Sequence, residues 1–205
     1  MPCAETYHIT WTCYGQWLHG DARGYVDDRH RTPGEPYAYD HPDYYNTDFN
    51  RMKEEPCWLS DEQRLRAEAA IEEACSFRGW NLMAVNVQPD HVHVAVEARE
   101  TDGVRARQVL KDRSTRALKA AYPPRCKWWT EGGKVEAMRY DAQLANVIEY
   151  INEGQRHPRP VRKSPAASAA GSGGSGAGAN DDMSPPRKRR VACEHDQDSL
   201  KGDAS

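Results

Sequence analysis

Three observations predict an α+β fold: a single domain with helices packed on one side of an antiparallel sheet, followed by a disordered tail. Short β-rich runs and helical patterns follow one another as β, loop, α, β-β, α, β, α. A Pro-Asp turn joins two of the runs into a hairpin. Beyond Gln155, large apolar residues nearly vanish.

The 205 residues, 29% charged and 38% hydrophobic, suit one ordinary domain with a modest core. No apolar run is long enough to span a membrane, and MPCAETYHITW has neither the basic start nor the apolar centre of a secretory signal. The expected compartment is the cytoplasm. The six cysteines, Cys3, Cys13, Cys57, Cys75, Cys126 and Cys193, contain no CxxC pair and read as free thiols, several of them buried. A net charge of −3 decides nothing about nucleic acid; the clustering of positive charge says more.

The domain is expected over residues 4–156 and the tail over 157–205. Proline, small residues and charge dominate the tail, which cannot bury enough surface to offset its ordering entropy. Its PPRKRR run reads as a solvated basic patch, with nucleic-acid contact or, in a nucleated host, a targeting signal as the alternatives.

Within the domain, TYHITWTCY (6–14) is a strand by its β-branched and aromatic content. Residues 15–57, rich in Gly, Pro, Asp and Tyr, read as a long irregular loop, with Tyr37, Tyr39, Tyr44 and Tyr45 packing on the domain or stacking on bases. Ser60 caps a helix that stops at Gly79, its apolar side carrying Leu65, Ala69, Ala70 and Ile71. Residues 80–88 and 91–98 form the hairpin. A helix over 103–121 buries Val109, Leu110, Ala117, Leu118 and Ala121 and leaves Arg105, Arg107, Lys111, Arg113, Arg116 and Lys119 around the rest. KWWTEGGKVEAM (127–138) is a strand or strand pair turning at Gly132-Gly133, and Asp141 caps a last helix.

The chemistry is concentrated in PDHVHVAVE (89–97). Side chains alternate along a strand, so Val92, Val94 and Val96 face the core while His91 and His93 share the other face. Two imidazoles there are half of a metal site or merely neighbours. The last helix offers what is missing. Leu144, Val147, Ile148 and Ile151 define its buried stripe. Tyr150 lies at the border of that stripe, where its hydroxyl can stand over the sheet or simply flank a packed helix.

At this point the chain resembles the single-tyrosine transposases of the HUH class (His-hydrophobic-His), over roughly residues 5–156. The pieces that carry it are YHITWTCYGQWL, QPDHVHVAVE, the basic helix, KWWTEGG and VIEYINEGQ, with the HUH strand about sixty residues ahead of a helix-borne tyrosine. The resemblance implies a ferredoxin-like, HUH-type domain that cleaves and rejoins single-stranded or hairpin DNA. Tyr150 would be the nucleophile, forming a 5′-phosphotyrosine link and a free 3′-OH. His91 and His93 would bind Mg²⁺ or Mn²⁺, which offsets charge developing on the phosphate. A phenol ordinarily titrates near 10, so it is a weak nucleophile at neutral pH without such help.

The chain departs from the family at one position. A polar third ligand commonly follows the tyrosine by one helical turn, and here that place is Gly154. Gln155 is the expected substitute, with Glu153 as the alternative. The basic helix would hold the DNA backbone, and Trp128 would stack on unpaired bases, although at least one of Trp128 and Trp129 should be core. The resemblance covers both monomers and homodimers that exchange tyrosine helices. Two other readings stand beside it: a metal-dependent phosphodiesterase using water, and a non-catalytic nucleic-acid-binding module derived from a transposase. A two-histidine phosphoesterase would need a second HxT element beside His8-Ile9-Thr10, and none recurs.

Overall fold

A computed structural model of the protein describes residues 5–22, 41–155 and 157. Four antiparallel strands, β1 (Thr6–Thr12), β2 (Asn81–Val87), β3 (His91–Glu97) and β4 (Lys134–Ala137), form one sheet in the order β2-β3-β1-β4. The helices are α1 (Pro42–Arg51), α2 (Asp61–Arg78), α3 (Gly103–Ala121) and α4 (Asp141–Glu153). The path β1-α2-β2-β3-α3-β4 is the split βαβ arrangement of ferredoxin-like domains, to which α1 and α4 are added. Among the described residues no helix is long and apolar enough to cross a membrane.

Alternation sorts the sheet into two faces. Ile9, Trp11, Val85, Val87, Val92, Val94 and Val96 point to one face and form the main core with α2 and α3. The α2 contribution is Ala67, Ile71, Ala74 and Cys75, so the buried stripe is set one residue row away from the expected Leu65 and Ala69; Leu65 is half-buried and Ala69 exposed. Both ends of α2 follow the sequence reading. Ser60 and Gln63 cap each other's backbone N–H groups. Gly79 ends the helix with φ +67, a left-handed conformation that suits a residue without Cβ.

The expectation of helices on one side only is corrected by α4. It lies on the opposite face, where Ile151, Leu144, Val147 and Ile148 pack on Ala84 and Ala95. The physical reason is the small residue at each of those two strand positions, which gives a helix room to approach. Tyr140 rather than Asp141 occupies the N-cap of α4, and Asp141 is its first helical residue.

Three further expectations change. The 15–57 segment contains a helix, α1, started by Pro42 at its first position; Tyr44 stacks on His41 there and Tyr45 on Phe49, while Tyr37 and Tyr39 lie outside the described residues. The first strand stops at Thr12, and Cys13 makes a single bridge to Trp129. Cys13, Cys57 and Cys75 are buried free thiols, whereas Cys126 is disulfide-bonded. The PPRKRR run lies outside the described residues.

Candidate active site

The hairpin between β2 and β3 sets the site. Gln88 N–H donates to the His91 carbonyl at 2.8 Å across Pro89-Asp90. On α2, the buried Arg64 donates from Nε to the Val87 carbonyl at 2.7 Å and so pins the end of β2. With the valines committed to the core, His91 and His93 are left on the α4 face.

Each imidazole is held by its Nδ1. His91 Nδ1 lies 2.6 Å from Oδ1 of the buried Asp90. His93 Nδ1 lies 3.1 Å from Nε2 of His8, which reaches it from β1. The two HUH rings meet edge to face with centroids 4.8 Å apart. His93 is buried, and desolvation, then the nearby His91 and His8, push its pKa down to about 3. It is therefore a neutral imidazole, the form that binds metal. Burial lowers His8 as well, against the charge of Glu136 opposite it in the β1–β4 register.

Tyr150 comes to the same place. Its ring stands edge-on to His93, centroids 5.4 Å apart, with the side chain about half exposed. Just past α4, Gln155 places Oε1 3.4 Å from His91 Nε2 and donates from Nε2 to the Tyr150 carbonyl at 3.0 Å. Glu153 is exposed, and Gln155 is the residue in contact with His91. Gly154 has a steric role in this arrangement. A Cβ there would lie 2.7 Å from Cδ2 of the Tyr150 ring and 3.0 Å from the Tyr150 carbonyl oxygen. The tyrosine thus occupies the space that a side chain at 154 would need.

Two buried amides that the sequence reading passed over fasten this end of α4. Asn86 donates from Nδ2 to the Ile151 carbonyl at 2.8 Å, one of the last-turn carbonyls without a helical partner. Gln88 donates to Asn86 Oδ1 at 2.9 Å and also grips His157, accepting from its N–H and donating to its carbonyl, both at 3.0 Å. Asn86 and Gln88 are polar residues at 1% and 0% exposure, one inside an apolar strand and the other just past its end. That interruption of NLMAVNVQ was the available signal.

The structure tests the fit of a divalent cation through its donors. His91 Nε2 and Gln155 Oε1, 3.4 Å apart, match an edge of a coordination shell with metal–ligand distances of about 2.0–2.1 Å. His93 Nε2 has its ring's other nitrogen already engaged. Two imidazole nitrogens and an amide oxygen are donor types that a divalent ion accepts.

The residues expected to bind DNA do not gather here. The α3 helix belongs to the layer on the other face of the sheet. Lys111 donates to the carbonyls of Thr130, Glu131 and Gly132, at 2.5, 3.3 and 2.7 Å, and Arg107 to that of Gly133. These two side chains hold the loop before β4. Arg113 lies over the Phe77 ring; Arg105, Arg113, Arg116 and Lys119 are exposed. Trp128 is 2% exposed, packed near Tyr122 and under Arg125, and Trp129 is buried against Trp11. Stacking on bases by Trp128 is therefore corrected: both tryptophans are core, because Cys13 and Tyr14 pair with this segment and draw it over the sheet.

A family model described as "Transposase IS200 like" matches residues 49–154, just over half of the chain. That range holds His91, His93 and Tyr150 but neither His8 nor Gln155. No curated protein matches. Among solved structures, a Deinococcus radiodurans R1 protein assigned as a transposase is 18% identical, with a TM-score of 0.42, over 71% of this chain and 87% of that one. A REP-associated tyrosine transposase bound to a REP hairpin is 15% identical, with a TM-score of 0.43, over 75% of this chain and 67% of that one.

Proposed function

Because the chain belongs to the IS200-like transposase family, we propose that it cleaves and rejoins single-stranded or hairpin DNA through a 5′-phosphotyrosine intermediate. The observation that carries the reading is the meeting of Tyr150 with His93, and of Gln155 with His91, from elements far apart in the chain. Tyr150 is the nucleophile. Its phenolic oxygen attacks a backbone phosphorus, the P–O3′ bond breaks, and the leaving strand keeps a 3′-OH. Attack by a 3′-OH on the phosphotyrosine reverses these bonds and reseals DNA, so no nucleotide hydrolysis is needed.

His91, His93 and Gln155 would hold the cation, Mg²⁺ or Mn²⁺, and when bound it would polarise the phosphate oxygens. Asp90 orients His91, and the Asn86–Gln88 pair keeps Tyr150 and Gln155 seated over the sheet. That pair joins α4 to the sheet. The exposed basic residues of α3, Arg105, Arg113, Arg116 and Lys119, would hold the DNA backbone remote from the cut, on the other layer. The enzyme is expected to act in the cytoplasm.

The test is a denaturing gel of the full chain with labelled single-stranded hairpin DNA from the flanks of its own gene, with Mg²⁺ or Mn²⁺. A covalent protein–DNA band that needs the metal and is lost in Tyr150→Phe and in His91→Ala/His93→Ala is the expected result. Cleavage that survives Tyr150→Phe would replace the phenol with water as nucleophile. Binding without cleavage by the wild type would make the protein a binding module.

A further inference from the structure

His8 stands outside the HUH pair and outside the matched range, yet its contact is to the centre of the site. In an imidazole, Nδ1 and Nε2 point to different sides of the ring, and whichever partner engages one nitrogen decides which way the other faces. His91 shows the pattern: Asp90 engages Nδ1, and Nε2 faces Gln155. His93 repeats it with a different partner. Its Nδ1 lies 3.1 Å from His8 Nε2, and the two ring planes are within 17° of parallel with centroids 5.4 Å apart, so the rings meet nitrogen to nitrogen.

We propose that His8 is a positioning residue for the cleavage site, accepting the Nδ1 proton of His93 on its own Nε2 and so reserving His93 Nε2 for the cation. The assignment rests on the metal-binding reading of His91 and His93. A neutral imidazole carries one ring proton. If His93 Nε2 is a metal ligand, that proton must sit on Nδ1, and an acceptor must face it. Buried as His93 is, the acceptor has to come from the protein, and His8 supplies it. His8 in turn must carry its own proton on Nδ1. Strand register makes the contact a fixed one: β1 pairs with β3 along its whole length, with Thr10 opposite His93 and Ala95 opposite His8. The two histidines are therefore diagonal neighbours on one face, within reach of long or aromatic side chains. Each HUH histidine then has its own orienting group, a carboxylate for His91 and an imidazole for His93. Such outer partners typically contribute a factor of about 10 to 100 in metal affinity or activity.

The test compares the wild type with His8→Leu and His8→Gln. Leu removes the acceptor and keeps bulk, while Gln restores an acceptor oxygen near the place of Nε2. Nitrogen-15 NMR of the imidazoles in metal-free protein at pH 8 reads the His93 tautomer directly, and Mn²⁺ titration followed by electron paramagnetic resonance reads affinity. The wild type is expected to hold His93 protonated on Nδ1. His8→Leu should lose that preference and bind Mn²⁺ about 10- to 100-fold more weakly, with His8→Gln recovering most of both at an unchanged Tm. An unaltered His93 tautomer in His8→Leu, or a His8→Gln as impaired as His8→Leu, would overturn the assignment. If the wild type binds no Mn²⁺, the metal reading falls, and the tautomer measurement still decides the role of His8.

Discussion

Replacing Asn86 with alanine should unfasten the tyrosine helix while leaving the sheet intact. The substitution removes two hydrogen bonds in a buried place, Asn86 Nδ2 to the Ile151 carbonyl and Gln88 Nε2 to Asn86 Oδ1. It leaves a carbonyl and an amide proton without partners, at about 1–3 kcal/mol each. A combined loss of about 2–4 kcal/mol allows for water entering the gap. The anchorage of α4 is slender, since Ile151 is its one buried residue and Leu144, Val147 and Ile148 are only partly covered. A loss of that size is thus comparable to the local stability of the helix and small beside the main core on the other face. Hydrogen exchange followed by mass spectrometry is the assay. Amides in 141–155 should lose protection by about 30- to 700-fold, at tenfold per 1.4 kcal/mol, while peptides from β1 and β3 keep theirs. Formation of the covalent DNA adduct should fall with it. Unchanged protection in 141–155, or a loss spread evenly over the sheet, would show that the Asn86 amide does not anchor α4.

Other outcomes follow from the same geometry. Gly154→Ala should displace the Tyr150 ring, which a Cβ would approach to 2.7 Å, and lower the single-turnover rate of adduct formation at least tenfold with little change in Tm. Metal-free protein should lose stability on acidification. His93 titrates near 6.5 when unfolded and near 3 when folded, so between those values the unfolded state takes up the extra proton. This contribution is intact above pH 6.5 and declines by about 1.4 kcal/mol per unit down to pH 3; urea unfolding at pH 7, 6 and 5 should show a shallower slope in His93→Gln. Ser60→Ala breaks the capping box of α2 and should cost about 1 kcal/mol, read from the urea midpoint, without touching metal affinity. Arg113→Gln/Arg116→Gln should reduce the salt dependence of DNA binding by close to two phosphate contacts, and an unchanged slope would remove α3 from the DNA interface.

Much of this protein is legible in local patterns of its chain. Period-two alternation in HVHVAV decided that the two histidines share a face and that the valines are core. The stripe Leu144, Val147, Ile148 and Ile151 decided which side of α4 is buried and left Tyr150 at its edge. Ser60 and Gly79 marked the ends of α2, because caps are local chemistry. These are properties of a chain segment and its immediate neighbours.

The remainder depends on which surfaces meet in the folded chain. Nothing within α4 says which face of the sheet it will cover; Ala84 and Ala95 decide that. Gln155 lies past the helix end, where the 3.6-residue period no longer predicts direction, and Gln88 places the chain there by gripping His157. Trp128 looked available for bases until the bridge from Cys13 to Trp129 drew its segment over the core. His8 read as part of a first strand and of a single HxT element, 85 positions from His93. Antiparallel pairing of β1 with β3 made them neighbours, and no local pattern in a sequence encodes a contact that strand register alone creates.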